Sequence, residues 1–183
     1  MGDIPMGIGL LGQPNIIIKR KFRWKIEITT PRGVIPAWYV KTAARPQLEM
    51  EELELNYLNA VTWMAGKGKW QPMSISYIDV TDNLMEPLWS WIATVYDLMT
   101  PAVLWQSEPA GYMATADLRM YDGCGNVLER WELQNVWPQS INFGELDYAA
   151  SEEMNIELNL RYSGVIYKGI CGPQPTKNCI GCG

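Results

Sequence analysis

The chain has 183 residues, a formal net charge of −5, 48% hydrophobic residues, nine tryptophans, nine tyrosines and no histidine. That length suffices for one domain burying roughly 70% of its unfolded surface, and the composition excludes a wholly disordered chain. The acidic balance, with no basic run beyond Lys19-Arg20-Lys21, excludes a surface built to grip phosphate backbones, and the missing histidine removes the commonest general base and transition-metal ligand.

Residues 1–13 are Gly-rich and apolar. Asp3, the interrupting glycines and the lack of a basic start make them a poor signal peptide, and no apolar run reaches the ~20 residues of a membrane-spanning helix. The expectation is an arm over residues 1–19, no membrane insertion by this chain, and assembly in a cytoplasm. Residues 22–30 (FRWKIEITT) then alternate without a fault, Phe22, Trp24, Ile26 and Ile28 on one face, which predicts a strand. Pro31-Arg32-Gly33 is turn chemistry, so a hairpin to a second strand near residues 37–42 is expected.

Residues 47–57 (QLEMEELELNY) alternate again, but Leu48 and Met50 are out of phase with Leu53, Leu55 and Tyr57. One inserted residue at Glu51-Glu52, absorbed as a β-bulge, reconciles the two halves, although Leu, Met and Glu also suit a helix. Residues 59–69 end in Gly66-Lys67-Gly68-Lys69 and read as a flexible basic loop that touches a neighbouring molecule. The spacing lacks the G-x-x-x-x-G-K-[ST] pattern of a phosphate loop.

Residues 73–80 (MSISYIDV) predict the next strand. Asp82-Asn83 can cap a helix over about residues 86–100, where Leu88, Trp91, Ile92 and Val95 recur at three-to-four spacing and Pro101 follows. Its aromatic stripe reads as core packing against a sheet. Residues 102–109 read as irregular. Residues 112–121 and 127–136 flank a Gly-rich connection of hairpin length. Trp137-Pro138 then breaks the pattern: Pro138 cannot donate to a ladder, so its strand stops near Trp137 or continues only as an edge. An acidic connection leads to a final strand over residues 154–162. The sum is one mainly antiparallel β-domain with one packed helix: arm 1–19, core 20–163, and a Gly/Cys-rich C-terminal tail 164–183.

Chemistry is sparse. Cys179 and Cys182 have C-x-x-C spacing, and Cys171, with the more distant Cys124, would have to complete a zinc set, so Cys171, Cys179 and Cys182 are weak metal candidates and a structural or incidental thiol tail is the plainer reading. Asp147, Glu152, Glu153 and Glu157 offer carboxylate pairs, but they fall on a turn and on the polar face of a strand, where solvation explains them. Ser74 and Ser76 lack an activating histidine, and no G-x-S-x-G elbow occurs. The reading is no enzyme and no cofactor.

The order of segments from Lys21 to Tyr162 resembles the tail tube proteins of contractile-tailed bacteriophages. The resemblance rests on LELNYLN before a Gly loop and Trp70-x-Pro72, on the D-G-x-G-N hairpin running into W-x-L-x-x-x-W-P, and on an acidic link into a closing E-L-x-L-x-Y strand. It implies an antiparallel β-sandwich or small barrel with a flanking helix, assembling as hexameric rings that stack into a hollow tube. Such a tube belongs to the virion, sits inside a contracting sheath, meets baseplate and tail-terminator proteins, and passes DNA without specific binding. Related tubes serve type VI secretion and other contractile injection systems.

Interface candidates under this resemblance are Asn59, Trp63, Lys67, Lys69, Trp137 and Asp147, with Lys67 and Lys69 expected to meet acids of an adjacent ring. Glu49, Glu51, Glu54 and Glu157 are the candidates for acids facing the lumen or solvent. The arm and the tail have no counterpart in the family. A tube initiator or tail completion protein of the same fold is the alternative, and a β-barrel carrying a small ligand is a more remote one.

Overall fold

The computed structural model describes residues 19–80, 86–97, 102–103, 109–122, 125–149 and 151–169. The arm up to residue 18, the Asp82-Asn83 cap, all four cysteines and the tail beyond residue 169 lie outside them.

Strand β1 (Trp24–Thr30) realises the alternation of its sequence, with Ile26 and Ile28 buried and Lys25, Glu27 and Thr29 turned outward. It starts two residues later than expected: Phe22 precedes it, exposed, with the Arg23 guanidinium 5.3 Å from its ring. Gly33 takes a φ of 143° after the Pro31-Arg32 turn and opens β2 (Gly33–Ile35), the antiparallel partner of β1. The expected partner at residues 37–42 is therefore a misplacement. Pro36, lacking a donor and held at φ −66°, ends the edge strand, and a 3-10 turn at Ala37–Tyr39 carries the chain to β3 (Val40–Ala43) in a second sheet.

The body is two sheets joined by one strand. Strands β6 (Met73–Ile78), β9 (Ala114–Tyr121), β10 (Val127–Asn142), β11 (Asn155–Arg161) and β12 (Gly164–Gly169) give the order β2-β1-β9-β10-β11-β6-β3, with β12 pairing β10. The first half of β10 lies between β9 and β12; its second half pairs β11. The register slips between Leu133 and Val136, where Asn135 adopts φ 53°, and again between Pro138 and Ser140. Asparagine tolerates that left-handed backbone, and such slips bend a strand. Pro138 thus sits in the portion of β10 that has become an edge, beside a bulge, the two places where a strand accepts proline. Residues 164–169, assigned to the tail from sequence, form β12.

Apolar residues of alternating phase from both sheets fill the space between them, including Ile26, Ile28, Ile75, Leu118, Leu133 and Leu158. Helix α1 (Glu86–Val95) closes the core with Leu88, Trp91 and Ile92, the predicted stripe. It is shorter than the expected 86–100: Tyr96–Asp97 (β7) turns extended and pairs with Ala102–Val103 (β8), Tyr96 favouring extended backbone and lying opposite Val103 in the ladder. A single helical turn, α2 (Pro109–Tyr112), starts at the last residue of the segment expected to be irregular and takes in Tyr112, expected to open the next strand; its Tyr112 carbonyl accepts the indole N–H of Trp91 at 2.6 Å.

Tyr77 on β6 is wholly buried, its hydroxyl has no hydrogen-bond partner among the described residues, and burial pushes its pKa well above the ordinary range. An unpaired buried hydroxyl costs ~1–3 kcal/mol, so Tyr77→Phe is expected to stabilise the subunit by ~1 kcal/mol and raise Tm by about 2–4 °C. A lower Tm in a thermal melt would show that the hydroxyl has a partner in solution.

Candidate assembly surfaces

Among the described residues, strands β4 (Leu48–Tyr57) and β5 (Ala60–Trp70) pair only with each other and form a two-stranded ribbon. Residues 59–69 are therefore a strand and not the flexible loop expected from Gly66-Lys67-Gly68-Lys69. The bulge falls at the expected height but on the other strand: Met50 faces Gly68 and Glu52 faces Ala65, so Glu51 opposes both Gly66 and Lys67. A Cβ on Gly66 would lie 3.0 Å from the Glu51 carbonyl oxygen, which is why this strand carries a glycine there.

Beyond the bulge, one side of the ribbon sets Leu53, Leu55 and Tyr57 against Met64, Thr62 and Ala60, and the other sets Glu52, Glu54 and Asn56 against Ala65, Trp63 and Val61. Every residue of β4 is exposed, and so is every residue of β5 except Trp70. At the tip Leu58 adopts φ 53° and is 89% exposed, beside the exposed Asn59. A lone hairpin is marginal in water, and an exposed leucine held in a conformation costing ~1–2 kcal/mol gains nothing from the body. Contiguous apolar surface of this kind marks an interaction site.

Of the charged interface candidates, Lys69 pairs with Glu51 of its own hairpin at 2.8 Å, and that hydrogen bond and charge raise its pKa. Both groups are exposed, so the pair contributes little to stability. Lys67 stands exposed at the bulge. Among the lumen candidates, Glu49 accepts a hydrogen bond from Gln71, Glu54 lies directly across from Trp63, and Glu157 faces outward from β11 opposite Ser76. Trp137 is half-buried in β10 across from Arg161, far along the chain from the ribbon. Asp147 accepts the Ala149 N–H at 2.9 Å in an exposed turn. That acidic connection is tied down by the Lys41–Glu153 pair and by Phe143, stacked on Trp89 of α1 at 5.0 Å. So Asn59, Trp63, Lys67 and Lys69 share the ribbon, whereas Trp137 and Asp147 lie elsewhere.

Sequence reasoning missed Glu129. Its side chain is 1% exposed and receives Lys19 and, at 2.7 Å, Arg45. Burial pushes its pKa up, but the hydrogen bond from Lys19 and the charges of Arg45 and Lys19 outweigh that and hold it below the usual carboxylate value. Arg45 also lies 5.5 Å from the Trp131 ring, which packs on Tyr167 of β12 at 4.6 Å. One carboxylate thereby fastens residue 19, the segment leading into the ribbon, and two strands. The signal was available: Glu129 is in phase with Trp131 and Leu133, so the alternation places an acid inward. On the outer face of the first sheet, Asp117 joins Arg119 and Arg130, the latter at 2.9 Å, and Glu132 joins Lys168 at 3.2 Å.

Among the described residues no group of three or more acidic, cysteine or histidine side chains is placed to hold a metal ion, and no helix is long and apolar enough to cross a membrane. No family model matches the sequence. It is 24% identical over 157 residues to the tail tube protein of Serratia phage KSP90, covering 79% of this chain and 86% of that protein. Among solved structures, a chain of the sheath–tube complex of the PVC extracellular contractile injection system superposes with a TM-score of 0.60 at 13% identity, covering 92% of this chain and 100% of that one. A chain of the anti-feeding prophage baseplate gives 0.62 at 12%, covering 85% and 98%. Hcp1 of E. coli EAEC 042 gives 0.50 at 13%, covering 81% and 92%. The chain has the fold shared by these injection-system proteins, and its sequence is similar to that of a phage tail tube protein.

Proposed function

We propose that this chain is the structural subunit of a phage tail tube, assembling as hexameric rings that stack into a hollow conduit for genome delivery within a contractile sheath. The ribbon carries this reading: a chain with this fold projects apolar surface that its own body leaves uncovered, and further copies of the same chain supply a cover at every position. The role is structural, without catalysis. Sheath, baseplate and tail-terminator proteins are the remaining partners, and the acidic balance lets DNA pass without a deep binding minimum. Assembly takes place in the host cytoplasm and the product resides in the virion tail.

A single-ring tube initiator is the second reading, favoured by the fold match to a baseplate chain. Electron microscopy of the purified protein is expected to show long hollow tubes, lost when residues 50–68 are replaced by a short Gly-Ser turn. Isolated rings would assign the initiator role, and a monodisperse monomer would overturn both readings.

A further inference from the structure

Five of the chain's fifteen lysines and arginines, Lys19, Arg20, Lys21, Lys41 and Arg45, rim one open groove between edge strand β3 and the first sheet. Its floor is apolar, formed by Trp24, Leu118 and Met120, and its volume is about 490 Å³. Glu129 beneath it, which pairs with Lys19 and Arg45, and Glu153, which pairs with Lys41, offset only part of that charge and leave Arg20 and Lys21 as the cations that a partner would meet. In a chain of net charge −5 this is a local reversal of sign. A groove with an apolar floor and a cationic rim suits an apolar anchor flanked by carboxylates.

The ribbon carries that constellation. Glu54 stands directly across from Trp63, and Glu52 follows on the same side across from Ala65. Trp63 is 60% exposed. We infer that this side of the ribbon seats in the basic groove of a second copy, Trp63 entering between Trp24, Leu118 and Met120 while Glu52 and Glu54 meet Arg20 and Lys21. The inference rests on the reading of the chain as a self-assembling subunit and names the two surfaces that join its copies.

The occupant is another molecule because no ribbon residue lines the groove of its own chain. The surfaces differ, so the contact is heterologous and propagates from copy to copy instead of closing as a pair. A buried tryptophan supplies the anchor, and the rim charges set register and encounter rate. Clefts of this size accept groups well beyond one indole, at ~300–1,000 Å³.

The test reverses charge on each side. Arg20 and Lys21 are exposed, so Arg20→Glu/Lys21→Glu leaves the fold intact; Glu52→Lys/Glu54→Lys is its counterpart on the ribbon. Each pair alone is expected to raise the critical concentration for assembly, read by sedimentation, roughly tenfold or more, and the two combined in one chain are expected to restore it. Thermal melts confirm that each variant is folded. Trp63→Ser is expected to block assembly in either background. Wild-type assembly that survives either reversal, or a combined variant that does not recover, overturns the docking while leaving the tube reading in place. Tubes that dissolve on nuclease treatment would assign the groove to nucleic acid and also overturn it. A wild-type chain that never assembles removes the tube reading itself, and the docking with it.

Discussion

Replacing Lys19 by Met together with Arg45 by Leu is expected to destabilise the isolated subunit by about 3 kcal/mol and to make its stability, level in the wild type between mildly acidic and neutral pH, rise as the pH falls through that range. In the wild type, Glu129 is held below its ordinary pKa of 4.5, so its contribution is fully present above that pH and is lost as the pH falls toward the folded value. Asp117 behaves alike from its ordinary 3.8 downward: burial pushes it up, but Arg119 and Arg130 more than offset that. Stripping Glu129 of both cations leaves a carboxylate that is 1% exposed with no countercharge; such a loss is of order 3–5 kcal/mol for a fully buried pair and lies at the low end here, because the Lys19 and Arg45 side chains are themselves 45% and 54% exposed. Its pKa must then rise above 4.5, the unfolded chain binds fewer protons than the folded one, and stability grows as the pH falls through the raised value. Thermal melts at pH 7 and pH 5 check this: the variant should gain Tm at pH 5, where the wild type is level. A variant that is level over the same range would mean that water reaches Glu129.

Trp91→Ala is expected to cost still more, about 3–5 kcal/mol, with a Tm loss on the order of 10 °C. Trp91 is wholly buried, fills the space between α1 and the sheets, and spends its only polar atom on the Tyr112 carbonyl. Truncation removes both the aromatic contacts and the bridge from α1 to α2. Trp91→Phe separates the two effects, keeping most of the ring and losing the hydrogen bond, at about 1–2 kcal/mol. Urea denaturation followed by far-ultraviolet circular dichroism measures both, and a loss below 1 kcal/mol for the alanine variant would mean that α1 is not part of the cooperative core.

The body was legible wherever one face of an element is buried. The phases of β1, β6 and β11 and the stripe of α1 follow from burial on one side, so each is written in the order of its residues. The ribbon was half legible for the converse reason. In the isolated chain neither of its faces meets a core, so β5 mixes Lys, Gly and Trp without a clean period, and the glycines that mimic a loop answer to the close approach of Glu51. Pairing between distant segments was illegible as well: nothing local shows that β3 leaves β1 for β6, or that β12 returns to β10. Glu129 was overlooked because its partners Lys19 and Arg45 come from remote stretches.

The two surfaces that we infer to meet between copies come into being at different times. The ribbon closes on a two-residue tip, Tyr57 opposite Ala60, and local hairpins of this kind form in ~1–10 μs. The groove floor needs Trp24 of β1 beside Met120 of β9, a pairing of segments far apart in the chain, and sandwich topologies of that kind take milliseconds to seconds. In a newly made chain the ribbon, marginal on its own, therefore forms transiently long before there is a groove to receive it. On the docking inferred above, a copy can receive its neighbour's ribbon only after β1 has closed onto β9.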